Sequence, residues 1–103
     1  MNINKTNGPI EGVKIIDMSR VLGGPYCTQL LGDLGASIIK LEPPQGDETR
    51  DWGPPFKDGE AAYFMGVNRN KDSISLDISK SEGKKILYKL LNDADVIVEN
   101  FKP

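Results

Sequence analysis

The residues able to do chemistry fall into three stretches. Gly23-Gly24 stands directly before Pro25. Glycines there let a backbone approach a ligand closely, and a helix N-terminus behind them favours negative charge. The pattern is neither GxGxxG nor a Walker A loop, and a tight turn alone also accounts for it. Asn68-Arg69-Asn70-Lys71 sets two positive side chains among two amides, a set that can hold phosphate and the polar edges of a nucleoside. A solvated turn has the same composition. Gly46-Asp47-Glu48-Thr49-Arg50 runs into Asp51-Trp52-Gly53-Pro54-Pro55-Phe56, which suits either a mobile lid or a loop that pins its aromatic residues onto the surface. Cys27 falls in the first turn of an expected helix, where a thiol pKa can drop. It has no general base nearby in sequence, and a packed small residue is the plainer reading. Glu42 and Glu99 end apolar runs.

What is missing narrows the chemistry further. The chain has no histidine and one cysteine, so no Ser-His-Asp triad, Cys-His pair, internal disulfide or CxxC pair can be built from it. Catalysis would fall to Asp, Glu, Lys, Arg, Tyr, Ser or Thr, or to a cofactor. Thirteen Lys+Arg against fifteen Asp+Glu give a formal charge of −2, which argues against a nucleic-acid partner. No apolar run of membrane-spanning length occurs and the N-terminus lacks an apolar signal core, so no membrane partner and a cytoplasmic location are expected.

The elements that must position these residues can be read in order. Residues 1–11 are polar and aperiodic and read as a flexible N-terminal arm. Residues 13–18 form an apolar, β-branched run that suits a buried strand. Ser19 to Gly24 is a turn. Pro25 fits the first position of a helix over 25–34, with Tyr26, Leu30, Leu31 and Leu34 on its apolar side and Gly35 as its stop. Residues 37–42 are a second strand. The segment 43–60 is rich in Pro and Gly and reads as a long loop. A short helix over 60–67 and the Asn68–Lys71 turn lead to an alternating strand over 73–78. Ser79 with Glu82 reads as a capping box for a helix reaching about Asn92, whose apolar side carries Ile86, Leu87, Leu90 and Leu91. Residues 95–99 are a fourth strand. The order strand–helix–strand predicts an α/β fold with a mostly parallel sheet. Four strands with only two long helices leave such a sheet short of cover, so the chain reads as an incomplete part of a larger domain.

Open parallel sheets bind ligands beyond the carboxyl ends of their strands. Those ends here carry Ser19–Gly24, Glu42–Pro44 and Asn100–Lys102. If the third strand is parallel, Asn68–Lys71 lies at the opposite edge.

Gly12–Lys40 resembles the start of the class III CoA-transferases, the family of formyl-CoA transferase and carnitine CoA-transferase, which also contains α-methylacyl-CoA racemase. Glu42-Pro43-Pro44, Gly46–Arg50, Asn68–Lys71 and Glu99-Asn100-Phe101 extend the resemblance over 12–103. It implies a Rossmann-like domain that binds coenzyme A or an acyl-CoA, uses no metal, moves CoA to a free carboxylic acid, and at full length forms an interlocked homodimer. The CoA-binding positions it implies are Leu22, Gly23, Asn68, Arg69, Asn70, Lys71, Asn100 and Phe101. Some relatives carry an arginine where this chain has Pro43, which puts that phosphate contact in doubt and shifts charge onto Lys71. The family's catalytic aspartate, which forms a mixed anhydride, lies downstream of the Asn-Phe-x-Pro motif and so beyond Pro103. No catalytic residue is therefore assigned within the chain, and the 103 residues alone are expected to be inactive. The Trp52–Phe56 stretch resembles the branch that handles dicarboxylic acyl groups. A racemase, or a non-catalytic module that binds nucleotide or CoA, stays open beside transfer.

Overall fold

The centre of the molecule is made by the β-branched runs. The computed structural model describes residues 8–102. Its elements are β1 (Lys14–Asp17), α1 (Gly23–Asp33), β2 (Ser37–Glu42), a 3-10 turn (Glu48–Asp51), β3 (Phe56–Lys57), β4 (Glu60–Ala61), α2 (Ala62–Val67), β5 (Lys71–Ser75), α3 (Ser81–Asn92) and β6 (Val96–Val98). Four strands pair in the order β5-β2-β1-β6, and every pairing is parallel. The register sets Ile16 level with Ile39 and Ile97. Counting only these four strands, the order is third, second, first, fourth, the order of the first four strands in a doubly wound sheet.

Successive strand residues face opposite sides of the sheet. Ile15 and Ile38 join Ala36, with Leu31 and Val98 packed on them. Ile16 and Leu41 face the other way, onto Leu87, Ile39, Ile74, Leu90 and Leu91. Helix α3 supplies that second cluster, so its apolar side matches the sequence reading at Leu87, Leu90 and Leu91. Ile86 is instead exposed.

Helix α1 turns inward a face that its leucines do not predict, and of the expected apolar side only Leu31 packs on the core. The helix buries Pro25, Thr28, Gln29 and Gly32. Tyr26, Leu30 and Leu34 are 50%, 43% and 45% exposed. The cause is a set of polar partners that periodicity cannot see. Thr28 Oγ1 donates to Asp17 Oδ2 at 2.6 Å. Gln29 Nε2 donates to the Gly66 carbonyl at 3.0 Å, and its Oε1 accepts from Arg69 N at 2.9 Å. At Gly32 a Cβ would stand 3.2 Å from Ile38 Cγ1, so the helix lies close to β2 there and a side chain would have to push Ile38 aside by a few tenths of an ångström. The helix also starts two residues before Pro25, which then sits within the first turn, where a missing N–H still costs nothing.

Other boundaries move for equally local reasons. Strand β5 covers Lys71–Ser75 rather than 73–78, because its pairing with β2 begins at Lys71 opposite Ile38. Beyond Leu76, whose N–H donates to the Glu42 carbonyl, Asp77 accepts from Ser79 N and Oγ in a tight turn. Ser79 is thereby used, and α3 begins at Ser81 with Lys80 as its cap and no side-chain capping bond, so the capping box is not formed. The 43–60 segment holds more structure than a bare loop. Asp47 accepts from Thr49 N and Oγ1 at the start of the 3-10 turn. Asp58-Gly59, both at positive φ, close the β3–β4 hairpin as two-residue turns of that kind do. The short helix α2 spans Ala62–Val67, two residues later than expected at its start. Of the expected N-terminal arm, Ile10 is tied to the Leu34 carbonyl at 3.1 Å, and residues 1–7 lie outside the described residues.

Candidate ligand-binding site

The carboxyl ends of β1 and β6 form the point where the strand order reverses, the usual ligand position in an open parallel sheet. Two loops meet there through one side chain. Asn100 Oδ1 accepts from Arg20 N at 3.1 Å, and Asn100 Nδ2 donates to Arg20 O at 2.8 Å. This reciprocal pair clamps the β1–α1 turn to the segment after β6, and Phe101 follows it, half exposed.

The clamped turn is strained. Val21 has φ +73°, a left-handed conformation that a β-branched residue adopts at a cost of about 1–3 kcal/mol. After it, Leu22 and Gly23 are exposed and α1 begins with no side-chain cap. A Cβ placed on Gly23 would meet nothing within 4 Å, whereas one on Gly24 would fall 2.2 Å from Ser19 Cβ. Gly24 is thus needed for packing, and Gly23 leaves backbone open to an incoming group.

Below the turn lies a row of ion pairs on the α1 side of the sheet. Asp17, fully buried, accepts from Ser19 N at 2.9 Å, Thr28 Oγ1 at 2.6 Å and Lys71 Nζ at 3.0 Å, and from Ser19 Oγ. Burial alone would raise its carboxyl, but the hydrogen bonds from Ser19 and Thr28 and the charge of Lys71 hold it below the ordinary value. Lys40 Nζ is 2.9 Å from Asp47 Oδ2, both side chains 1% exposed, and donates to the Ser19 carbonyl at 3.1 Å. Glu42 takes a two-pronged contact from Arg50 at 2.6 and 2.7 Å, accepts from Asp47 N at 2.7 Å, and accepts from Ser73 Oγ. Burial opposes the charge, yet these donors bring Glu42 down to about 2. Arg50 in turn stacks over the Phe64 ring at 3.9 Å.

On the other side of the same rim is a cleft of about 330 Å³. Met18, Leu41, Pro43, Pro44, Leu76, Ile78 and Phe101 give it apolar walls, and Arg20 and Asp77 stand among its polar ones. The loops after all four parallel strands therefore converge on it. The sequence reading missed Leu76–Ser79, having run the third strand through 78. The Asp77-Ile78-Ser79 turn was the available signal.

The positions implied by resemblance separate into two groups. Leu22, Gly23, Asn100 and Phe101 share the carboxyl rim. Asn68–Lys71 begins at the amino end of β5, as parallel pairing requires. Lys71 reaches back under α1: its side chain is 1% exposed and its three donors go to Asp17, the Pro25 carbonyl at 2.9 Å and Asn68 Oδ1 at 2.8 Å. Asn68 is buried beside it and donates to the Phe64 carbonyl at 2.9 Å. Arg69 and Asn70 both bind Asp33, at the far end of α1 from Gly23.

Comparison with known proteins finds relatives over nearly the whole chain. The profile of CoA-transferase family III matches residues 10–103. The human succinyl-CoA:glutarate CoA-transferase is 54% identical over 96 residues, covering 92% of this chain and 22% of the relative. The formyl-CoA:oxalate CoA-transferase of Escherichia coli O6:H1 is 45% identical over 96 residues, covering 92% and 23%. Among solved structures, a CAIB/BAIF family protein from Brucella suis superimposes with a TM-score of 0.89 at 48% identity, covering 93% of this chain and 26% of that one. The chain thus spans about a quarter of the length of the relatives it matches. With its parallel sheet, its switch-point loops and this profile over nearly all of its length, the chain belongs to CoA-transferase family III.

Proposed function

We propose that this chain is the coenzyme A-binding part of an enzyme that moves CoA between an acyl-CoA and a free carboxylic acid. The observation that carries the reading is the convergence of four strand-end loops on one rim, with an open glycine backbone on one side and an apolar cleft on the other. The cleft offers Phe101, Pro43 and Pro44 to a flat, weakly polar ring such as adenine. Arg20, whose exposed contact to Glu48 is long at 3.7 Å, is free to exchange that partner for a phosphate. Leu22 and Gly23 present backbone at the α1 N-terminus, where negative charge is favoured. Asn100 holds the turn in place. Asn68 and Lys71 support it from beneath, and Arg69 and Asn70 brace the far end of α1 through Asp33.

The aspartyl intermediate implied by the resemblance would come from polypeptide beyond these residues. The carboxylates beneath the rim, Asp17, Glu42 and Asp47, are buried and already paired, and Asp77 in the cleft wall is taken up by Ser79 N and Oγ. The identity to succinyl-CoA:glutarate CoA-transferase favours dicarboxylic acyl groups and transfer over racemisation. The apolar residues left open on α1 and β6, Leu22, Tyr26, Leu30, Leu34, Val96 and Ile97, suit burial against further polypeptide, as in the implied interlocked homodimer. No helix of the described residues is long and apolar enough to cross a membrane, and the reading keeps the cytoplasm as the compartment.

Thermal unfolding with increasing coenzyme A tests the reading. A ligand that binds only the folded state raises the melting temperature by mass action. A rise with CoA that adenosine alone does not match supports it, and an unchanged transition contradicts it. The 103 residues alone should give no turnover with succinyl-CoA and glutarate.

A further inference from the structure

We propose that Asp17 is a positioning residue for coenzyme A, holding the strained β1–α1 turn in the shape that exposes the Gly23 backbone. This rests on the CoA-binding reading above and adds a residue that touches no ligand.

The starting point is Val21. A β-branched residue in a left-handed conformation persists only where its surroundings fix it from both sides, and such positions gather at sites that need a preset shape. One side is fixed by Asn100, which takes both backbone groups of Arg20. The other side is fixed by Asp17. It holds Ser19 through backbone and hydroxyl, two residues before Val21, and holds Thr28 in the second turn of α1. One buried carboxylate therefore ties together the residues that enter and leave the strained turn. Gly24 completes the arrangement, since any side chain there would strike Ser19 and push α1 off the turn.

The partner charge explains Lys71. Its ammonium sits against Asp17 and the Pro25 carbonyl, so it keeps the carboxylate ionised while pinning the first turn of α1. Lys71 thus serves the ligand through Asp17 rather than through a phosphate. Lys40 adds a further tie, donating to the Ser19 carbonyl. A carboxylate needed only for folding has no reason to hold Val21 in an unfavourable conformation, whereas one that shapes a binding turn does.

The test separates grip on the turn from stability. In the intact protein, coenzyme A affinity by calorimetry and melting temperature are measured together for Val21→Gly, Thr28→Val, Thr28→Ser, Asp17→Asn and, as a control on the other face of the sheet, Leu87→Ala. Val21→Gly relieves the strain, so its melting temperature should hold while CoA binds about tenfold more weakly, the turn having lost its preset shape. Thr28→Val should weaken binding similarly, and Thr28→Ser, which keeps the hydroxyl, should restore it. Leu87→Ala should lower the melting temperature with affinity unchanged. Asp17→Asn should weaken binding most, and if it fails to fold the two other positions still decide. Wild-type affinity in Val21→Gly and Thr28→Val, or affinity that simply follows melting temperature across the set, overturns the inference while leaving the CoA site standing. Failure of the unaltered protein to bind CoA removes the site and the inference with it.

Discussion

The two faces of this sheet are built on opposite principles. The α3 face is oil: Ile16, Ile39, Leu41 and Ile74 against Leu87, Leu90 and Leu91. The α1 face begins the same way at Ile15 and Ile38, then becomes ionic toward the carboxyl rim, with Asp17, Lys40, Glu42 and Lys71 all laid inward. The apolar face tolerates small shifts because its attraction has no direction. The ionic face fixes directions, since each charge has named partners at hydrogen-bond distance. The difference teaches where shape matters: the face with directional bonds is the one beneath the strained turn and the long loop.

The sharpest way to break the contrast is to orphan a charge. Lys40→Met leaves Asp47 buried without its cation and should cost about 3–5 kcal/mol, a large share of the stability of a domain this size. Urea unfolding measures it. Replacing both partners, Lys40→Met with Asp47→Leu, should recover most of that loss, because the penalty comes from the unpaired charge.

Acid should act most strongly on the ionic face. The Glu42 carboxyl stands at about 2 in the fold against an ordinary 4.5. A depressed carboxylate stabilises fully above its unfolded value and loses that contribution as pH falls toward its folded one. On the order of 3 kcal/mol should therefore disappear between pH 4.5 and pH 2. Glu42→Gln should flatten that part of the stability–pH curve at a lower plateau.

On the apolar face, Leu87→Ala should cost about 2–3 kcal/mol with no dependence on pH, from lost burial and the cavity left behind. The smallest effect is the most telling about α1. Leu30→Ala should change the stability of the chain by no more than about 0.5 kcal/mol, since Leu30 points outward. A core leucine, as its spacing suggests, would cost several times more.

That last pair marks what periodicity can and cannot convey. Strand runs announce themselves through Ile15-Ile16 and Ile38-Ile39, and the α/β order follows from them. Helix α3 reads correctly at Leu87, Leu90 and Leu91. Helix α1 misleads because Thr28 and Gln29 are inward only by virtue of Asp17, Gly66 and Arg69, which are distant in sequence. The inward charges Lys40 and Glu42 look like ordinary strand-end polar residues until Asp47 and Arg50 fold back over them. The rim was legible at Ser19–Gly24, Glu42–Pro44 and Asn100–Lys102, because each follows the carboxyl end of a readable strand. Its Leu76–Ser79 wall was not, because the end of β5 depends on a side-chain turn at Asp77.

The most direct measurement is residue-resolved amide chemical-shift mapping of the protein titrated with coenzyme A. Saturable shifts at Gly23, Leu76, Ser79 and Phe101, with Arg69, Lys89 and Asp93 unmoved, are the predicted result. Saturable shifts confined to the lower cleft between β1 and α3, around Lys14, Lys89 and Asp93, or no saturable shifts at all, would contradict a ligand site at the carboxyl rim.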